Sequence, residues 1–385
     1  GWMYEVFLEV VVYRWGYSDR GVLIGPYCIV YGVGAIVLLL CLGKFMKKKI
    51  YIQILGVIAC LAVVAMHVNG CFWQFSYDRY WITANIIECI CYFAVPIFFM
   101  ISGATLLNYR KRYTTAVFFK KRFGKTLVPF LIWSVISAIW YYIVYHARPE
   151  GIREVVDGIL NTRYVDIYWF FPALFSVYLC IPILSCIPEK YRKRIFGYAI
   201  LVYFVLEALA PLVCNLMHIE FNEGFGMPAV GGYLIYTLLG YWIDNYELSK
   251  KWRCVIYAAA LGGFLLMLVG TQILSLKNGT VDTTFKEYRN VPCILYSTGI
   301  FLFFKNIKNE KALGCLAKLT APFSSLTFGI YLVHFYLVQM VAIYQIFPIT
   351  SIKYRIFGTI AIFLISAVAV RILQMIPVIR KAIPS

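Results

Sequence analysis

The sequence predicts an all-α polytopic membrane helical bundle, and three observations carry that expectation: a large apolar excess, apolar runs of membrane-crossing length, and basic residues gathered in alternate connections. Of the 385 residues, 62% are hydrophobic and only 14% are charged, and the mean hydropathy is +0.77. A soluble domain carries about a quarter charged residues and has no core large enough to hide so many apolar runs. A hydrocarbon layer about 30 Å thick takes roughly 20 residues of helix, a length that recurs along this chain. Spans of a β-barrel would show alternating segments near ten residues instead, and these are absent from the pattern.

The elements follow in order. Two N-terminal apolar segments, about 1–13 and 25–43, form a first module. Ten more segments, in a domain over 50–385, run about 50–68, 81–107, 126–146, 167–187, 195–216, 228–243, 254–274, 290–304, 324–346 and 356–378. Pro96, Pro129, Pro172 and Pro182 fall inside these segments, where neighbouring helices can satisfy the backbone groups that proline frees. The connection 147–166 holds an amphipathic pattern (Ile152, Val155, Val156, Ile159, Leu160) suited to an interfacial helix. The chain opens on Gly1, so a native start upstream is expected, and no cleavable signal peptide is recognisable.

The net charge of +18 on a soluble protein would suggest nucleic acid, but here the cations sit in short connections. Lys44 with Lys47 to Lys49, Arg110 through Lys125, Lys190 to Arg194, and Lys305 to Lys318 form one alternating set. The opposite set is poorer: 69–80 holds one arginine, and 217–227 holds only Glu220 and Glu223. The connection 147–166 departs from this pattern, its Arg148, Arg153 and Arg163 being offset by four acids. Positive connections stay inside, so this asymmetry places both termini in the cytoplasm. The twelve cysteines lie mostly in or beside apolar runs without zinc spacing, and read as small buried apolar residues.

Ionisable groups inside apolar spans are costly and are candidate site residues by default. Here they are His67, Glu88, Glu207 and His334, with Arg371 near the last helix end; for each, a polar group satisfied by a neighbouring helix is the competing reading. His67 ends the first of the ten segments, in LAVVAMHVNG. Imidazole titrates near neutrality and can take a proton from a hydroxyl, the role of a general base.

Several words extend this reading. VIACLAVVAMH, VPIFFMISGATLL (95–107), FFKKRFGKTLVPFLIWS (118–134), IYWFFPALFSVYLCIPIL (167–184) and SSLTFGIYLVHF (324–335) occur in order. Together they resemble the acyltransferase-3 family of integral membrane acyltransferases over about residues 50–385. The resemblance implies transfer of an acyl group, usually acetyl, from cytoplasmic acyl-CoA to a hydroxyl of an extracytoplasmic glycan or lipid-linked sugar. It implies a multi-pass protein of a bacterial plasma membrane, with acetyl-CoA as donor substrate, no bound cofactor and no metal. It makes His67 the general base and the basic segment with Lys121, Arg122 and Lys125 the donor-binding region, with topogenic charge as the competing reading of those cations. Glu88 would orient His67 or pair with a basic group, His334 beside Tyr331 matches the late motif, and Trp169 and Phe170 would line a cavity or form an interfacial aromatic belt.

One departure matters. The family's arginine in the first helix lies eleven positions before its histidine, about three turns and about 16 Å along the axis on the same face. Here that position is Gly56, and Gln53 nearby offers a hydrogen bond but no charge. Arg122 or Lys125 would then supply the missing cation from the cytoplasmic loop. The alternative is a non-enzymatic transporter or an accessory or scaffold protein on the same fold. Residues 1–43, with GWMYE and DRGVLIGPYCIVYGVGA, resemble bacterial putative ABC-transporter permeases, from which no transport is inferred.

Overall fold

The computed structural model describes residues 50–226, 231–376 and 379–384; the N-terminal module expected over 1–43 lies outside them. Among the described residues every regular element is helical. The helices are α1 Ile50–Val68, α2 Arg79–Cys91, α3 Ala94–Leu106, α4 Thr115–Val144, α5 Ile152–Leu160, α6 Phe170–Ser185, α7 Glu189–Tyr203, α8 Ala210–Leu216, α9 Leu234–Asn245, α10 Lys250–Asn278, α11 Val291–Lys305, α12 Glu310–Thr320, α13 Thr327–Ile343 and α14 Thr359–Met375. π-helical turns over Phe204–Leu209 and Tyr354–Gly358 lead into α8 and α14.

Local chemistry sets the boundaries. Thr114 accepts from the Val117 N–H at the start of α4 and Ser249 from the Trp252 N–H at the start of α10. Gly279 ends α10 at φ +67, the left-handed conformation that glycine adopts at no steric cost. Asn290 caps α11 through the Val291 N–H at 2.8 Å, with Pro292 in its first turn. Because α4 starts at Thr115, Lys121, Arg122 and Lys125 lie in its opening turns, not in a loop as expected from the hydropathy pattern.

The outer faces of the long helices are apolar. Val128, Leu131, Val135, Ile139 and Ile143 of α4, and Leu261, Leu265, Val269 and Ile273 of α10, are exposed and suit contact with lipid. Among the described residues seven helical stretches are long and apolar enough to cross a membrane, or eight if the pair Glu310–Phe323 and Thr327–Ile343, bent by 64°, makes one span. The sequence suggested ten. Two of those, α9 with 12 residues and α11 with 15, reach only about 18 and 22 Å at 1.5 Å per residue. Ten of the twelve α9 residues are buried, so its apolar character answers to protein neighbours rather than lipid.

α9 crosses α3 at backbone distance. A Cβ on Gly103 would lie 1.8 Å from the Thr237 carbonyl oxygen, and one on Gly240 would lie 2.0 Å from that of Met100. A second core joins α1, α4, α6, α13 and α14 through Val57, Val64, Phe130, Trp133, Phe171, Ile330 and Val370.

The two ends of the bundle differ. At one, the buried Arg192 guanidinium donates to the carbonyls of Ile187 and Ser185 and to Asn108 Oδ1, and Arg110 donates to Ser185 Oγ at 2.7 Å. Lys305 closes the same kind of contact on the Ile243 carbonyl at 2.6 Å. The other end gathers the segments after α1, before α11 and before α14. Replacing Gly240 by valine should destabilise the protein by about 3 kcal/mol or more, as backbone has no room to retreat. Gly262→Ala, where nothing lies within 4 Å, should leave the thermal midpoint in detergent within a degree or two.

Candidate active site

α1 carries the site on its last turn. His67 is half-buried, and its Nδ1 lies 2.8 Å from Nε2 of His334. The two rings are nearly parallel and meet edge to edge, 5.0 Å between centroids with 23° between their planes. His334 is fully buried on α13, with Nδ1 2.9 Å from the Ile330 carbonyl one turn earlier. Phe335 closes the edge of His67 at 5.9 Å.

Two cavities meet at His67. The first, about 230 Å³, is mainly apolar, bounded by Val63, Val95, Phe98, Ile101, Phe170 and Tyr331, and reaches Tyr178 of α6. The Arg122 guanidinium interacts with that Tyr178 hydroxyl, and its buried Nε has no hydrogen-bond partner. The second, about 550 Å³, is bounded by Trp73, Tyr92, Tyr233 and Phe335 and by the carboxylates of Glu88 and Asp166. Met66, His67, Ile167, Trp169 and Tyr288 border both. Tyr288 stacks on Tyr92 at 4.3 Å. Burial, and after it the Glu88 carboxylate, push its hydroxyl well above the ordinary range, so it remains a neutral hydrogen-bonding group.

A buried polar network fixes the end of α1. Asn69, two residues beyond His67 and fully buried, donates to the Ala84 carbonyl at 2.9 Å and to Glu88 Oε2 at 3.4 Å. It accepts from Arg355 at 3.3 Å. Arg355 also donates to Thr83 Oγ1, the Tyr80 carbonyl and the Thr350 carbonyl. Glu88 pairs with the Lys286 ammonium at 3.2 Å. That ammonium makes no conventional hydrogen bond and is walled by the rings of Phe72, Trp73 and Tyr92 at 4.4, 4.6 and 4.2 Å. Cation–π attraction of this kind is strongest where water is excluded.

The expected site residues therefore separate. His67 and Trp169 stand where the two cavities meet, Phe170 and Tyr331 line the first, and His334 contacts His67 without lining either. Tyr331 donates to the Ile167 carbonyl, a contact that ties α13 to the segment before α6. Glu88 takes the basic-group alternative, with Lys286 as partner. Arg122 reaches the first cavity only through Tyr178, whose hydroxyl it touches, whereas Lys121 is turned over the Tyr113 ring at 4.3 Å and Lys125 is exposed. Gly56 faces only Ile101 Cδ1 at 3.7 Å, so space for a side chain remains there. Gln53 and Arg371 are exposed, and Glu207 borders a separate cavity of about 430 Å³ with Glu287 and Arg289. Among the described residues no cluster of metal-ligating side chains forms.

Lys286, Arg355, Asn69 and Tyr288 were not singled out by sequence. A signal existed for Lys286: an intramembrane Glu88 demands a cation, and the polar stretch KNGTVDTTFKEYRN (277–290) is a nearby source. Removing that cation by Lys286→Met should cost about 3–5 kcal/mol, the usual result of leaving a buried charge unpaired. Glu88→Gln in the same chain should recover much of the loss, read as the midpoint of thermal unfolding in detergent.

No curated protein and no solved structure matches the chain. The family model described as an acyltransferase domain, that of acyltransferase-3, matches residues 49–371, and this chain, a polytopic helical membrane protein, belongs to that family.

Proposed function

We propose that the protein is a membrane O-acyltransferase that moves an acyl group, acetyl in the family's usual case, from acyl-CoA to a hydroxyl of a cell-envelope carbohydrate. One observation carries this reading: His67 stands where an apolar cavity that reaches Tyr178, the contact of the Arg122 guanidinium, meets a wider cavity lined by aromatic rings and by Glu88 and Asp166. The first suits the pantetheine arm and thioester, with Arg122 toward the CoA phosphates, which arginine recognises by charge-assisted hydrogen bonds. Lys121 and Lys125 add long-range charge at the same end. The second suits a sugar, whose ring faces stack on Trp73, Trp169 or Tyr288 while Asp166 accepts from hydroxyls.

His67 takes the hydroxyl proton as the acceptor oxygen attacks the thioester carbon. The basic end of the bundle faces the cytoplasm in this reading, with both termini there, and the His67 end faces outward across a bacterial plasma membrane. A second reading, a non-enzymatic transporter or a scaffold, is favoured by Gly56, since the first-helix arginine is absent.

The test is acetyl-CoA binding and turnover by detergent-purified protein. His67→Ala should lower turnover by about 10²–10⁴-fold, the range for loss of a general base, with membrane expression unchanged. Arg122→Ala should raise the donor KM by about ten- to a hundredfold, corresponding to a charge-assisted hydrogen bond of about 1.5–3 kcal/mol. Folded protein that binds no acetyl-CoA would replace this reading by the transporter or scaffold.

A further inference from the structure

We propose that His334 is a positioning residue that fixes which nitrogen of His67 carries the proton. The inference rests on His67 being the base and adds how that base is kept in working form.

The direction of the hydrogen bonds is forced from the back of the site forward. The Ile330 carbonyl, 2.9 Å from His334 Nδ1, can only accept, so that nitrogen carries a hydrogen. A neutral imidazole carries one hydrogen, which leaves His334 Nε2 a bare acceptor. His67 Nδ1, 2.8 Å away, must then donate. The remaining nitrogen of His67, Nε2, is unprotonated and is the ring edge left to the two cavities that His67 borders. A doubly protonated His334 would bury a cation with no carboxylate against it, because Glu88 is taken by Lys286 and Asn69, and such a charge is costly.

The proton accounting closes on this geometry. The acceptor O–H bond breaks with its hydrogen passing to His67 Nε2, the oxygen–acyl carbon bond forms, and the carbon–sulfur bond breaks. The leaving thiolate then takes the hydrogen back from Nε2. Throughout, the His67 Nδ1–H stays directed at His334. The partner is a neutral ring, so it orients the base without holding the imidazolium as a carboxylate would. The transferred proton is therefore readily surrendered to sulfur.

The chain has four histidines, His67, His146, His218 and His334, so a ¹⁵N-histidine spectrum of the full chain can be assigned by single replacements. The wild type is expected to show His67 and His334 both protonated at Nδ1. His334→Leu should release His67 to the Nε2-protonated form and lower kcat by about 10²–10⁴-fold, the scale seen where a triad histidine loses its correct tautomer. KM for acetyl-CoA should change little. His334→Gln, which can offer an amide oxygen near the position of Nε2, should restore the tautomer and bring kcat back to within about tenfold of wild type. A wild-type His67 protonated at Nε2 would overturn the proposal, as would a glutamine variant no better than leucine. The wild-type spectrum needs no variant to fold, and it separates this proposal from the base assignment, which retained turnover by His67→Ala would remove.

Discussion

A polar group withdrawn from water must find a partner inside the protein, and in this bundle that demand converges on Asn69. Its side chain uses both ends: the amide N–H groups reach the Ala84 carbonyl and Glu88, and the oxygen takes the Arg355 guanidinium. Four segments are thereby tied to one point: the end of α1, the middle of α2, the connection carrying Lys286, and the turn before α14. Each alternative placement would leave a buried charge or amide unsatisfied, at a cost of a few kcal/mol. His67 is two residues from that point, so its position is inherited from a network that does not touch it.

The helical class and the order of the elements were legible because apolar run length is a one-dimensional property. The number of membrane-length helices was not, because hydropathy counts apolar residues without saying what covers them. Leu234–Asn245 is apolar because α3 and other helices enclose it, and Gly103 and Gly240 let it sink to backbone contact. His67 and His334 were both visible as ionisable residues in apolar words, yet their contact across 267 positions is a product of tertiary packing. Lys286 was hidden for a related reason. Its connection looks like solvated polar chain, and only the aromatic cage around its ammonium shows it folded inward.

The site also explains how a glycine is accommodated in the first helix. Position 56 opens toward Ile101, which borders the first cavity, so the region loses a charge but not its shape. Arg122, brought by the opening turns of α4, places a guanidinium against Tyr178 of that cavity's wall. Arg122 and His67 stand on different helices, α4 and α1, whose mutual packing through Phe130, Trp133, Val57 and Val64 sets the span between them.

Tyr288 and Trp169 stand in the walls of both cavities. Occupancy on one side that shifts either ring reshapes the other side, and thermodynamic linkage makes the effect mutual: whatever factor the first ligand applies to the second's affinity, the second applies to the first. The partition between the two compartments is thus a communicating one, these two rings standing in it beside Met66, His67 and Ile167, and the order in which two molecules could arrive there depends on how the rings rest when the site is empty.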